Sequence, residues 1–518
     1  MRPLPRRGVA RLADARVAVW GRGAEGTAAV ALARAHGAEV TVVDDRAEGA
    51  RTGQLEASLP SAVLAPTVVA DGDFDVVLHS PGVSRYRPEL AAAAARGSWV
   101  TTMTALWFED FGDEQVVAIT GSKGKTTTAL LVAAALEASG RRVAVAGNMG
   151  RPLAELYAPD APPVDAYVVE VSSYQAAELT VSPPVGVLTL LAPDHLQWHG
   201  SYERYVADKL NLFAHRPGMV VAVNATDPPS WAATGALAGR VGYGAACSPI
   251  GLLPSGDGDE GGSGAVMVEG IAYGDVEILA RTGFQLRGRH NLVNLCGALS
   301  AAQAVTGVVP PAEALARVLA TAAPLPSRLR TVAVARGVEL VDDTLASNPA
   351  GTVAALQTFA GRRICLLAGG ADRGVSFEAL VAELVALASS VSVVALGPAG
   401  ARLADELAAA ASRGTRVPRV VMAVTVEEAV EQAVSLVGTC GVVLFSPGAP
   451  TPSEEGTYVE RSAAFAEAVS RVVGEATTPT TPTTPTTPTT PTTPTTPTTP
   501  TTPATPTTPT TPAGGAPC

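Results

Sequence analysis

Residues 116–128 read VVAITGSKGKTTT. A short β-branched apolar run gives way to a glycine-bearing turn, and the turn to an alanine-rich stretch, residues 129–138, ALLVAAALEA. That order predicts a buried strand, a loop of phosphate size and a helix. The backbone N–H groups of Gly121, Ser122, Lys123 and Gly124, with the helix N-terminus, would then surround an anion. Lys125 would supply a point charge and the Thr126 hydroxyl a magnesium ligand, with Thr127 next in the same turn. The common G-x-x-x-x-G-K-[ST] loop wants a glycine at position 119, where this chain has Ile119. On these residues alone, a glycine turn of purely structural use stays open.

Two other segments repeat the pattern of apolar run, glycine turn and helical stretch: residues 16–26, RVAVWGRGAEG, and residues 362–374, RRICLLAGGADRG. Each reads as the first strand of an α/β domain. The chain has 518 residues, enough for three cores, and 47 % hydrophobic against 16 % charged residues suits helices packed on buried parallel strands. Asp, Gly and Pro interrupt the pattern near 112 and 324. The expected organisation is a substrate-binding domain over 1–112, a central nucleotide-binding domain over 113–323 and a third domain over 324–474. The two outer domains are expected to be Rossmann-like and the central one a mostly parallel, phosphate-loop sheet. From 475 to 518 a Thr-Thr-Pro repeat offers almost nothing to bury and is expected to be an extended, disordered tail. A mucin-like stalk is its sharper alternative, but it would need an export signal. The Gly-, Ser- and Asp-rich insertion Ser255–Gly264 reads as a surface loop.

The net charge of −11, with no basic run, argues against nucleic acid as a partner, since backbone binding rests on clustered Lys and Arg. Five cysteines without C-x-x-C spacing suggest neither a disulfide framework nor a zinc site. No apolar run approaches the length needed to span a bilayer. A cytoplasmic protein without membrane insertion is expected.

Further chemistry lies after two more apolar strands. Glu170 in residues 167–175, YVVEVSSYQ, sits at a predicted strand end, where it could face a ligand crevice and hold a cation, or simply be solvated. Residues 194–200, DHLQWHG, bring two of the six histidines within five residues, beside Asp194. A capped helix start explains that segment almost as well. An amphipathic stretch then ends at Lys209. Thr126, Glu170 and His195 would come from separate strand ends, as α/β sites commonly do.

Seven segments in order, TGSKGKTTT, EVSSYQ, DHLQWHGSYERYVADK, GRHNLVN, LPSRLR, DDTLASNP and SPGAP, resemble the Mur ligase family, in particular its glutamate-adding members, over about residues 15–473. That family carries the shorter loop without the earlier glycine, so Ile119 fits. The resemblance implies ATP as a substrate, with Lys125 on its phosphates, Thr126, Glu170 and His195 on magnesium ions, and Lys209 as a carbamylated metal-side lysine. Asn294 would face the adenine, and Arg328 and Asp343 would reach the nucleotide from the third domain. Lys125, His195, Lys209 and Arg328 are the implied catalytic set. The turn holding Gly23, Ala24 and Glu25, with Asp44, Asp45 and Arg46, would bind the uridine diphosphate of UDP-MurNAc-L-Ala, and Ser80, Gly82 and Asn148 its muramoyl part. Ser347, Arg373 and Ser446 would form the glutamate pocket.

The turn Gly21–Gly26 with a later acid also fits a dinucleotide fingerprint, which keeps a dehydrogenase as the competing enzyme class. A second phosphate loop with magnesium ligands has no use in hydride transfer, and decides against it. A degenerate, non-catalytic ligase is the other alternative; intact Lys125, Glu170, His195, Lys209 and Arg328 speak against that. Leu345 stands where D-glutamate-adding members typically have lysine. It resembles the L-glutamate-adding branch, as do residues 104–108, TALWF, and 84–87, SRYR. The expected reaction is ATP-dependent joining of L-glutamate to UDP-MurNAc-L-Ala in peptidoglycan precursor synthesis, with D-glutamate addition as the alternative. A monomer working with a glutamyl epimerase is expected.

Overall fold

The computed structural model describes residues 7–45, 63–148, 150–158, 161–245, 248–254, 268–273, 276–280, 286–320 and 327–473. Arg46, the Ser255–Gly264 insertion and the Thr-Thr-Pro tail lie outside them.

Three sheets form in chain order, and strands such as Arg16–Trp20, Val76–His79, Val116–Thr120, Ile364–Gly369 and Gly441–Phe445 are apolar runs buried almost throughout. The first contains β1 (Arg16–Trp20), β2 (Glu39–Val43), β3 (Val76–His79) and β4 (Trp99–Thr101), in the order β2-β1-β3-β4 and parallel throughout. The helix Ala24–Ala35 follows β1, so the Gly21–Gly26 turn opens at the C-terminal edge of this sheet.

The central sheet has nine strands: β5 (Val116–Thr120), β6 (Val143–Gly147), β7 (Ala166–Glu170), β8 (Val185–Leu188), β9 (Val220–Asn224), β10 (Arg240–Gly244), β11 (Ile250–Pro254), β12 (Val268–Tyr273) and β13 (Val276–Ala280). Their order is β13-β12-β11-β10-β9-β8-β5-β7-β6, parallel except at β11–β12 and β12–β13. All five residues of β5 are buried, which is why they read as an unbroken apolar run. The helix Lys125–Ala138 leaves β5 and packs on the helix Arg289–Thr306, with Leu131, Leu136, Leu295 and Leu299 in one core cluster. Burying those side chains contributes roughly 1.5–3 kcal/mol each to holding the helix pair over the sheet.

The third sheet contains β14 (Arg330–Ala335), β15 (Val338–Asp342), β16 (Ile364–Gly369), β17 (Val391–Leu396), β18 (Arg419–Ala423) and β19 (Gly441–Phe445), in the order β14-β15-β19-β16-β17-β18. The sequence pattern makes residues 362–374 the first strand of this region; the structure places a hairpin ahead of it. β14 and β15 pair antiparallel across a tight turn at Arg336 and Gly337, both at positive φ (52° and 78°), the geometry that right-twisted hairpins favour. β14 is only partly buried at an edge, so its apolar signal is weak. Among the described residues, no helix is long and apolar enough to cross a membrane.

Candidate active site

β5 lies between β8 and β7, so three chemistry-bearing segments leave neighbouring strand ends: the 121–127 loop, Glu170 as the last residue of β7, and the 194–200 segment beyond β8. Gly124 caps the helix with φ +87°, and a Cβ there would lie 2.8 Å from Asn294 Oδ1. Any larger residue would be strained and would push Asn294 off the loop. The backbone geometry and the side chain above it therefore require the same glycine.

Around this loop the polar groups are tightly matched. Thr126 Oγ1 donates to Glu170 Oε2 at 2.6 Å, and Asn148 Nδ2 donates to Glu170 Oε1 at 2.8 Å. Glu170 is only 2 % exposed, and these two charge-assisted bonds offset part of the cost of burying its carboxylate. Ser122 is committed to the protein: its hydroxyl lies 2.5 Å from Tyr205 Oη and donates to Ala192 O at 2.8 Å. Lys123 pairs with Asp194 at 3.4 Å, and Thr127 lines the adjoining cavity.

Two lysines converge on one carbonyl. Lys125 Nζ and Lys209 Nζ each donate to Gly121 O at 3.1 Å. Burial lowers the pKa of both, and for Lys209, with Lys125 nearby, the shift is large. Lys209 is 2 % exposed, and Tyr205, one helical turn earlier, stands 4.7 Å below its ammonium position. A buried amine held in its neutral form is a nucleophile toward carbon dioxide, and the carbamate so formed is an oxygen ligand.

His195 adopts φ +52° at the start of the short helix Leu196–His199. Its exposed ring lies tilted against Tyr174, centroids 5.0 Å apart, and burial of part of it lowers its pKa. Among the described residues, no three or more His, Cys, Asp or Glu side chains gather as a metal site. The oxygen donors of Thr126 and Glu170, next to a phosphate-sized loop, instead fit a magnesium ion that arrives with the nucleotide and keeps phosphate and water ligands.

A cavity of about 490 Å³ joins the central sheet to the third one. Lys123, Gly124, Thr127, Asn294, Arg328, Asp343, Leu345 and Ser347 all line it. Leu130, Leu131, Ala133 and Ala134 supply an apolar wall that suits a flat base. Arg328 lies between two residues at positive φ, Ser327 (61°) and Leu329 (46°), a concentration of strain that marks functional segments. Burial lowers the Arg328 pKa, while Asp343 and Glu170 raise it, so the guanidinium faces both halves of the site. Its Nε is buried without a hydrogen-bond partner, ready for an anionic one. Burial also pushes Asp343 up to about 7, although Ser446 Oγ donates to it at 2.7 Å.

The predicted substrate turn is partly assembled. Glu25, which burial raises to about 7, accepts from Gln175 Nε2 at 2.6 Å, tying the first sheet to the EVSSYQ segment. Asp44 pairs with Arg22 at 3.6 Å and Asp45 with Arg87 at 3.1 Å. Gly23 and Gly82 face open space, and the Ser80 hydroxyl is buried without a partner. Ala24 begins the helix. Asn148, predicted beside the muramoyl group, is brought to Glu170 on the nucleotide side.

The predicted glutamate residues are not brought around one cavity. Ser347 lines the space beside Gly124 and Asn294, Arg373 is exposed elsewhere, and Ser446 is fully buried against Asp343 and Thr352. Sequence reasoning missed His290 and Tyr205. His290 lines the same cavity, and burial pulls it down to about 4, so it meets a ligand uncharged. Its place in GRHNLVN, four residues before Asn294 and therefore on one helix face, was the available signal. Tyr205 carried a similar one, four residues before Lys209.

Comparison with known proteins gives three family matches. Residues 15–102 match the Mur ligase MurD-like N-terminal domain, 119–302 the Mur ligase middle domain, and 327–448 the Mur ligase glutamate ligase domain. A Micromonospora protein named UDP-N-acetylmuramoyl-L-alanine--L-glutamate ligase is 39 % identical over 90 % of this chain and 99 % of its own length. Proteins of the same name from Salinispora tropica (37 % identity, 90 % of this chain and 100 % of that one) and Xanthomonas axonopodis pv. citri (35 %, 89 % and 96 %) are also similar. A MurF ligase from Thermotoga maritima in complex with ADP shares the fold, with a TM-score of 0.54 at 18 % identity over 91 % of this chain and 99 % of that one.

Proposed function

The chain belongs to the Mur ligase family, and from that premise we propose how its residues join L-glutamate to UDP-N-acetylmuramoyl-L-alanine at the expense of ATP. The observation that carries the reading is near full-length similarity to three L-glutamate-adding ligases, in a chain whose phosphate loop and Arg328 line one cavity, with Glu170 near enough to raise the Arg328 pKa.

A carboxylate has no adequate leaving group, so amide formation begins with phosphorylation. The alanyl carboxylate attacks the γ-phosphorus of ATP, an acyl phosphate forms and ADP leaves. Lys125 at the loop and Arg328 from the opposite wall neutralise charge spread over the transferred oxygens. Magnesium would supply Lewis-acid polarisation there, held on the protein side by Thr126, Glu170 and His195. Lys209, after its amine attacks carbon dioxide and loses a proton to solvent, would add a carboxylate to the same side. Asn294 and neutral His290 read the base, with Asp343 beside them.

The glutamate amine then attacks the acyl carbon and phosphate leaves, the two cations now facing the tetrahedral oxyanion. Ser347, Arg373 and Ser446 are assigned to the incoming glutamate. Their dispersal implies that the third domain closes further to seat it and exclude water. Leu345, on the cavity wall, offers no charge to a carboxylate. Gly23, Ala24, Glu25, Asp44, Asp45, Arg46, Ser80 and Gly82 are assigned to the uridine diphosphate and muramoyl groups, with Asn148 reaching from Glu170 toward the latter. We place the enzyme in the cytoplasm as a monomer whose product is passed to a glutamyl epimerase.

Phosphate release is to be measured with UDP-MurNAc-L-Ala, ATP and each glutamate enantiomer. Turnover with the L-form well above the D-form is expected. No turnover with either would remove the ligase reading, and preference for D-glutamate would reverse the stereochemical one.

A further inference from the structure

The second histidine of DHLQWHG has no part in the chemistry described so far, yet its side chain is fully buried. His199 Nδ1 lies 2.6 Å from Asp208 Oδ2, and its Nε2 lies 2.9 Å from Ser173 Oγ. A carboxylate only accepts, so Nδ1 carries a proton toward Asp208, and Nε2 shares the second hydrogen bond with the Ser173 hydroxyl. Ser173, His199 and Asp208 thus repeat the hydrogen-bond order of a hydrolytic triad. Ser173 is only 2 % exposed, and Tyr174, Trp198 and Tyr205 pack around the imidazole at centroid distances of 4.5–5.6 Å. No substrate reaches that hydroxyl, and nucleophilic catalysis is excluded on access.

What the triad does is tie segments together. Ser173 follows Glu170 by three residues, His199 follows His195 by four, and Asp208 precedes Lys209. The three segments that carry the metal-side residues therefore meet at one ring. His195 needs such a hold, because a non-glycine residue at φ +52° persists only where its surroundings fix it. A fourth tie comes from the first sheet: Tyr86 Oη donates to Asp208, 2.9 Å from each carboxylate oxygen. On the same loop, Trp198 Nε1 donates to Pro81 O at 3.2 Å and Ser84 Oγ to Trp198 O at 3.3 Å.

We infer that His199 is a positioning residue that holds Glu170, His195 and Lys209 in register, with Tyr86 fixing its Asp208 partner from the substrate-loop side. The inference rests on the metal-site reading above. Removing a partner that orients metal-side groups typically weakens metal affinity by about 10–100-fold, so the effect is measurable.

The test is manganese binding, followed by electron paramagnetic resonance, to the full-length protein saturated with a non-hydrolysable ATP analogue. His199→Leu is expected to lose most of that binding, but the residue is buried and the variant could misfold. Tyr86→Phe therefore carries the test: Tyr86 is 44 % exposed and the ring is retained. We expect its manganese affinity to fall about tenfold and kcat to fall with it. KM for the UDP-substrate and the thermal midpoint should stay near wild type. Arg85→Ala is the comparison variant; it cuts the same loop's ties to the Ala177 carbonyl and Glu178 but leaves Asp208 alone. Wild-type affinity in Tyr86→Phe overturns the inference, as does equal weakening in Arg85→Ala, which would show general loop docking. Failure of the wild-type protein to bind manganese with the analogue would instead bring down the metal-site reading, and this inference with it.

Discussion

The residues proposed for the nucleotide and those proposed for glutamate differ in how closely the structure gathers them. Among the first, Lys125, Thr126, Glu170 and Lys209 are joined through hydrogen bonds of 2.6–3.1 Å, all within reach of one loop on one sheet. Among the second, Ser347 lines the cavity, Arg373 is exposed and Ser446 has its hydroxyl spent on Asp343. The contrast teaches where each geometry comes from. Neighbouring strands of one sheet fix their loop ends rigidly, whereas residues on a second sheet reach a shared substrate only as far as the two sheets approach.

The largest expected effect lies among the closely gathered residues. Lys125→Ala removes a charge from the transferred phosphoryl group and should lower kcat by about 10³-fold or more, read as phosphate release. Retained turnover would take the loop out of the chemistry. Among the dispersed ones, Arg373→Ala should raise the glutamate KM about tenfold while leaving the ATP KM unchanged, the cost of one charged hydrogen bond made late. A change in the ATP KM instead would merge the two halves. Ser446→Ala separates its two roles. Loss of its bond to buried Asp343 should cost about 1–3 kcal/mol in urea denaturation. A raised glutamate KM without lost stability would make Ser446 a substrate contact first.

A smaller effect concerns the turn proposed to bind the uridine diphosphate. Burial raises Glu25 to about 7, with Gln175 and the nearby His79 acting in the other direction. Below that pH its carboxyl is neutral; as pH rises through about 7 it gains negative charge beside the diphosphate. Affinity for the UDP-substrate should therefore fall severalfold between pH 6 and 8, measured by calorimetry, and Glu25→Gln should flatten the slope. An unchanged slope in the variant would move the diphosphate away from this turn. The smallest expected effect is deletion of residues 475–518, which should leave kcat and both KM values unaltered.

The sequence by itself determined the α/β class, the phosphate loop and the strand-end carboxylate. These depend on continuous β-branched apolar runs, a glycine turn and residues contiguous in the chain, all of which a single strand-loop-helix unit enforces. Ile119, where the longer loop would want glycine, is a buried residue of β5. The hairpin before β16 was invisible because its edge strand buries too little to show a pattern. Only the tertiary structure decided that Asn148 bonds Glu170, that His290 lines one cavity with Asn294 and that His199 gathers three segments. Those residues stand 9 to 26 positions apart along the chain, or on a helix facing the loop, and strand order β8-β5-β7-β6 sets the neighbouring strand ends from which their segments leave. Local sequence encodes each partner's chemistry; the order in which strands join a sheet encodes which partners meet.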